Sequence, residues 1–378
     1  MVKAPGVCRR LFSAAARLLI AAAVVVALVG LVLLLLLALT LLPYRLRSFA
    51  MAQVSEDGSL LAIGVTVETV SGLDVIGNAD EIRLMDMRRE RVRRVLAVPK
   101  GFLGAMRFGP GSQQLASYWG IRTRATESWD YGDLVVWDLS SGQIDARRRI
   151  HSDARYQRLL ELSPDGTRFV DWDTRAEEVR LGHIDGSLHV LVRRAAGRQY
   201  AAAFSAAGAI LSVAVLGPRI LMGDAPVWRS TVINWTVTPL RELGRFELDG
   251  DVSLYGLSPD GRVVAAGRQR ETSKRGIGVW DSRTGAFLRE FAMEGFTNAL
   301  AFSPDGRMLA GSLSTLNEVR VWSVSTGHLV QRYSIDPKEV IIDVAFLRRG
   351  GGIIAVGRSA LYFLDLQTGQ SRKMPVRL

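Results

Sequence analysis

Catalysis and metal binding need imidazoles, thiols, carboxylates or hydroxyls gathered at characteristic spacings, and this 378-residue sequence offers few such groups. It has four histidines, His151, His183, His189 and His328, and a single cysteine, Cys8, so no disulfide forms within the chain. His183 and His189 flank the Asp185-Gly186 turn, which would bring them near each other on adjoining strands. Two neutral imidazoles without a third ligand make a poor zinc site, and the preferred reading is a surface hairpin pair. Asp171, Asp173, Glu177 and Glu178 form the densest acidic group. Their spacing is not that of a calcium loop, so they are read as solvated charges of one inter-strand loop. The Gly-x-Ser-x-Gly elbow, the phosphate-cradling Gly-Lys-Ser/Thr loop and the His-Glu-x-x-His motif do not occur. Asn234-Trp235-Thr236 matches a glycosylation sequon but falls in an expected inner strand, where a glycan would not fit. The sequence therefore assigns no catalytic, cofactor or metal-binding residue.

What it does contain is a repeat. The stretch 301–333 alternates apolar and polar residues and is punctuated by Pro304-Asp305-Gly306 and Thr326-Gly327. Period-two alternation bounded by such turns marks short antiparallel strands. Seven degraded copies of its first turn end at residues 58, 112, 166, 208, 261, 306 and 350, spaced 54, 54, 42, 53, 45 and 44 apart. A second apolar motif follows each, beginning at Ile82, Leu134, Val179, Val232, Ile277, Val319 and Leu361. Five of these then run into a turn through Gly142, Gly186, Gly285, Gly327 or Gly369. Repeats of this length with four strands each predict an all-β, seven-bladed β-propeller of four-stranded antiparallel blades over 49–378. The seventh unit completes its own blade, which leaves ring closure to side-chain packing between first and last blades, a weak seam.

The pairing of Ser-Pro-Asp-Gly with a later Val-Trp-Asp and a Ser-Thr-Gly turn resembles the WD40-repeat family. Trp137-Asp138 and Trp280-Asp281 keep the signature dipeptide, while Trp235 and Trp322 keep its Trp and Asp86 and Asp365 its Asp. Gly182-His183 stands where the Trp-Asp would be and matches neither residue, and the Gly-His dipeptide that opens many members' blades is missing from the start of every blade. The resemblance implies a protein–protein interaction platform. Without the opening histidines the family's buried Asp–His–Ser–Trp network cannot form, so the blades must rely on packing.

The chain begins with a basic segment, 1–17, followed by 25 residues without a charge, 18–42. As a helix this run is about 37 Å long, enough to span the ~30 Å hydrocarbon core of a bilayer. It lacks the polar stripe of a buried core helix and exceeds the length of a signal-peptide core, so it reads as a retained transmembrane α-helix. Residues 43–48 read as a linker. Lys3, Arg9, Arg10 and Arg17 precede the run and Arg45 and Arg47 follow it, which favours a cytoplasmic N-terminus and an extracytoplasmic propeller.

The net charge of +11 does not point to nucleic acid. Six basic and no acidic residues precede Glu56, so the remainder carries 42 basic against 37 acidic residues, a net of +5. No arginine stripe interleaved with aromatics accompanies it. The informative departures are four expanded connections between second and third strands, at 64–81, 119–132, 217–230 and 268–276. They gather Arg122, Arg124, Trp129 and Tyr131, then Trp228 and Arg229, then Arg270 and Lys274, residue types that anchor protein interfaces. Connections of this kind emerge together at one end of a propeller, and the chain enters the first blade at that same end. The expected function is a membrane-anchored, non-catalytic interaction scaffold with protein partners, one of which the bilayer would hold. The alternative is an enzyme or small-molecule sensor with its site at the central channel mouth. The innermost strands read mainly Ala, Leu, Phe and Val, with Asp343 an isolated exception.

Overall fold

The alternating segments form seven sheets, each of four antiparallel strands paired in chain order. The computed structural model describes residues 44–374 apart from 56, 72–73, 99–100, 122–130, 152–156, 174–175, 194–199, 223–224, 250–254, 271–273, 294–296, 314–315 and 348–350. The expected basic segment 1–17 and transmembrane helix 18–42 lie outside the described residues. Among those described, no helix is long and apolar enough to cross a membrane. By compactness the chain divides into a propeller unit, Arg47–Val67 with Ala79–Leu378, and a smaller one, Met1–Leu46 with Glu68–Asn78. The described part of the smaller unit is extended strand. Strand already begins at Tyr44, inside the segment read as linker.

Strands are lettered A to D outward within each blade. The A strands are Tyr44–Val54, Gly101–Phe108, Gln157–Leu162, Tyr200–Phe204, Tyr255–Leu257, Thr297–Phe302 and Ile341–Phe346. The D strands are Arg91–Leu96, Ile144–His151, Leu188–Val192, Leu240–Asp249, Phe287–Met293, Leu329–Ser334 and Ser371–Lys373. The A–B turns work as the motif requires. In blade 6, Gly306 takes φ +71° while the Ser303 hydroxyl donates to Asp305 at 2.6 Å and accepts the Met308 amide at 2.8 Å. Ser55–Asp57, Ser163–Asp165 and Ser258–Asp260 repeat the staple. In blade 7 Gly351 has positive φ, and in blade 2 both Gly111 and Ser112 do.

The Asp of each Trp-Asp pair serves the next turn rather than the core. Asp138 accepts the Ser140 hydroxyl and Ser141 amide at 2.6 Å each, which holds its carboxyl down to about 2. Asp281 grips Thr284 and Asp365 accepts the Thr368 amide in the same way.

The core is divided among the blade interfaces. Seven apolar clusters are present among the described residues, and each straddles one junction between neighbouring blades. The blade 2–blade 3 cluster is the smallest, built on buried Ala116, Leu134, Leu162 and Phe169. This division follows from the strand pattern, because a sheet with two apolar faces must be covered on both.

The expectation that packing alone would replace a buried polar network needs correcting. In blade 2 the indole N–H groups of Trp119 and Trp137 both donate to the Ser117 hydroxyl at 2.7 Å, and Ser117 donates onward to the Val135 carbonyl at 3.2 Å. In blade 4 the Asn234 amide reaches the Ser282 carbonyl at 2.5 Å, and Ser212 bridges Asn234 and the Tyr255 hydroxyl. Asn234 is 1% exposed, so the sequon is internal and closed to a glycan. Ser117→Ala would leave two buried indole donors unpaired, each costing about 1–3 kcal/mol. Equilibrium urea unfolding is expected to show a loss of at least about 2 kcal/mol, and no measurable loss would refute the shared bond's importance.

Candidate functional site

The propeller offers two ends. A–B and C–D turns lie at one end, joined in blade 1 by the Met87 amide donating to the Ser59 carbonyl at 2.9 Å. B–C connections lie at the other. In blades 4 and 5 these connections are not loops. Strands B and C of blade 4, Ile210–Met222 and Ala225–Val237, run 13 residues each, against six in Met308–Leu313 and Glu318–Ser323 of blade 6. The blade 5 strands continue to an Arg270–Lys274 pair. Alternating and β-branched residues allow the ladder to continue where an irregular loop was expected.

Arg122, Arg124 and Trp129 lie outside the described residues. Tyr131 opens strand C of blade 2 opposite Ile121, and Trp228 pairs with Arg219 across the blade 4 arm. Arg229 is engaged within its own sheet, 3.5 Å from both Glu247 and Asp249 on strand D. The arms thus bring Trp228 and Arg229 onto one hairpin and Arg270 and Lys274 onto the next.

The acidic group of blade 3 is not a free loop. Asp171 and Asp173 lie on a strand, Arg168–Asp173, and Arg180 clamps both, at 2.6 Å to Asp171 and 2.9 Å to Asp173. A guanidinium neutralises the cluster where a cation would otherwise be needed. His183 accepts the Asp185 amide at 3.2 Å, and His189 stands opposite Leu181 rather than His183. No group of three potential metal ligands occurs among the described residues.

A cavity of about 510 Å³ occupies the channel at the A–B-turn end, opposite the arms, and every blade contributes to its wall. The residue just before each A–B turn's leading residue gives a ring of Gln53, Arg107, Glu161, Ala203, Gly256, Ala301 and Ala345. Polar side chains stand on blades 1–3 and small ones on blades 4–7. Arg107 faces Glu161 at 3.4 Å across the blade 2–blade 3 junction. Burial pushes the Glu161 carboxyl up, and Arg107 opposes that shift.

Asp343 also lines this cavity. Its carboxylate accepts the Ala52 amide of blade 1 at 3.0 Å and the Val344 amide at 2.8 Å. The exception among the innermost strands is therefore a clasp across the seam. Sequence marked the residue but not its partner, because pairing depends on the first blade arriving beside the last. Burial pushes the Asp343 carboxyl up to about 6, and the two amides pull against it.

The fold is that of a seven-bladed β-propeller. No protein-family model matches the chain, and comparison with curated proteins finds no match. Among solved structures it is similar to the Cps50 (Swd1) β-propeller domain of Myceliophteria thermophila, with TM-score 0.58 and 16% identity. That likeness covers 89% of this chain and 98% of the other. At such identity the comparison speaks to architecture.

Asp343 generates a pH prediction. Its folded pKa of about 6 exceeds the ordinary 3.8, so its contribution is full below about pH 4 and is lost as pH rises through about 6. The loss, about 3 kcal/mol, should vanish in Asp343→Asn. Unfolding free energies of both proteins between these pH values check it, and parallel curves would contradict it.

Proposed function

We propose that the chain is a single-pass membrane protein whose propeller serves as a non-catalytic protein-binding platform. The observation that carries this reading is the pair of B–C arms in blades 4 and 5, whose strands run 13 and eight residues each against six in blade 6. Arms on a rigid ring present side chains without remodelling the core, and they carry Trp228, Arg229, Arg270 and Lys274. The uncharged run 18–42 supplies the anchor, and its flanking basic residues place the N-terminus in the cytoplasm and the propeller outside it. The chain enters blade 1 at the end that carries the B–C connections, which supports a membrane-embedded partner or lipid headgroups as what the arms meet.

A second reading has its own observation. The channel cavity, lined by Gln53, Arg107, Asp165 and Asp343 beside apolar residues, has the size of a small-molecule site. Asp343 is already held by two amides and Arg107 by Glu161, which favours the platform.

The test is co-purification from carbonate-washed membranes, gently solubilised, comparing wild type with Trp129→Ala/Trp228→Ala/Arg270→Ala. The expected result is a chain retained in the membrane pellet with a specific protein that the variant loses at equal folded yield. Recovery that ignores the three substitutions would contradict the platform and turn attention to the channel.

A further inference from the structure

Arginine is unevenly distributed around the propeller rim. The C–D turn and D strand of blade 1 read Met-Arg-Arg-Glu-Arg-Val-Arg-Arg-Val-Leu over 87–96. Arg88, Arg89, Arg91 and Arg93 are all exposed. Among the described residues none of their guanidinium groups forms an ion pair. The nearby Asp86 turns its Oδ1 to the Arg88 and Arg89 amides at 2.9 Å each. Exposed arginines elsewhere are commonly spent, as Arg147 and Arg149 are on Asp133, Arg245 on Glu242 and Arg332 on Glu318.

Protection of an open sheet edge is the simplest use for edge charges. The start of strand D in two other blades does without it. Phe287 and Leu288 in blade 5, and Leu329 and Val330 in blade 6, are 43–49% exposed at the corresponding start of strand D. Four exposed guanidiniums thus fall within six residues without an ion pair among the described residues, with Asp86 acting on those of Arg89 and Arg91 only through its charge.

We propose that this rim of blade 1 docks an acidic segment of a protein partner. Arg91 and Arg93 recur at the two-residue period of an extended strand, which matches carboxylates on an extended chain laid along it. Each guanidinium can take a carboxylate in two parallel hydrogen bonds. The strand carries the exposed aliphatic Val95, at 50%, and no aromatic ring on which a base could stack. The cluster starts at the turn end of blade 1, away from the end where the chain enters, which turns it from lipid phosphate in the proposed arrangement. The inference rests on the platform reading and adds a contact separate from the arms.

The experiment measures fluorescence anisotropy of a labelled alternating glutamate–serine peptide with the detergent-solubilised full chain at low ionic strength. Comparison probes are the glutamine–serine peptide and oligothymidylate of equal length. Arg88→Gln/Arg89→Gln/Arg91→Gln/Arg93→Gln is expected to weaken peptide binding at least about tenfold. The double variant Arg88→Gln/Arg89→Gln should fall between, and it stands in if the fourfold variant melts early. Arg262→Gln/Arg307→Gln, exposed on other turns, should bind as wild type does. Binding unchanged by the rim variants, failure of the wild type to bind, or oligothymidylate bound at least as tightly as the acidic peptide would each overturn the proposal. A partner lost with the arm variant while peptide binding ignores the rim would sink this inference and leave the platform standing.

Discussion

Everything in this propeller depends on closing a ring whose first and last blades share no strand. Blade 1 comprises four consecutive strands and so does blade 7, so no backbone ladder crosses the seam. Closure falls to three layers of contact. Near the channel, Asp343 holds the Ala52 amide, and the Phe49 amide donates to the Arg358 carbonyl at 3.0 Å. Between the sheets, Phe49, Leu61, Ile63 and Met85 pack against Ile354, Val356, Leu361 and Met374. At the rim, Arg372 pairs with Glu90, with one contact at 3.1 Å, and lies over the Phe363 ring.

The rim contact explains an irregularity in the repeat. Glu90 sits at φ +48° in the C–D turn of blade 1, where blades 2, 5, 6 and 7 place Gly142, Gly285, Gly327 and Gly369 at φ +71° to +81°. A left-handed non-glycine residue costs about 1–2 kcal/mol. Other junctions use a different device: Arg94 of blade 1 donates to the Ser140 and Ser141 carbonyls of blade 2, and Arg148 of blade 2 to the Ile184 carbonyl of blade 3. Only a side chain in the blade 1 turn can answer Arg372 with charge, and the strained glutamate supplies it. The seam expected to be weak thus carries specific polar contacts of its own. A closed ring holds the arms at one end and the arginine rim at the other in fixed geometry.

The repeat made the architecture legible. Turn spacing, alternation and the five later glycines located seven blades of four strands, and those glycines do take positive φ. Asp343 stood out because a carboxylate on an apolar innermost strand breaks the pattern. What the pattern hid lies between blades or depends on length. Ser117 looks like any strand serine until two tryptophans converge on it, and Arg180 lies too far in sequence from Asp171 to declare the clamp. The B–C connections of blades 4 and 5 were misread as loops because insertion length marks them as expanded, whereas ladder continuation depends on hydrogen bonding between their two limbs. At the site, residue types alone suggested the arms, while the arginine run at 88–93 carried no signal that set it apart from other charges.

Amide hydrogen exchange at the seam tests this account most directly, because an open ring frays where it is not clasped. Clasped closure predicts that 49–54 and Ile341–Phe346 exchange as slowly as the interior blade 6 strands Thr297–Phe302 and Met308–Leu313. If both seam segments lose protection together, well ahead of blade 6, the ring is open in solution and the contacts across Asp343 and Glu90 do not hold it.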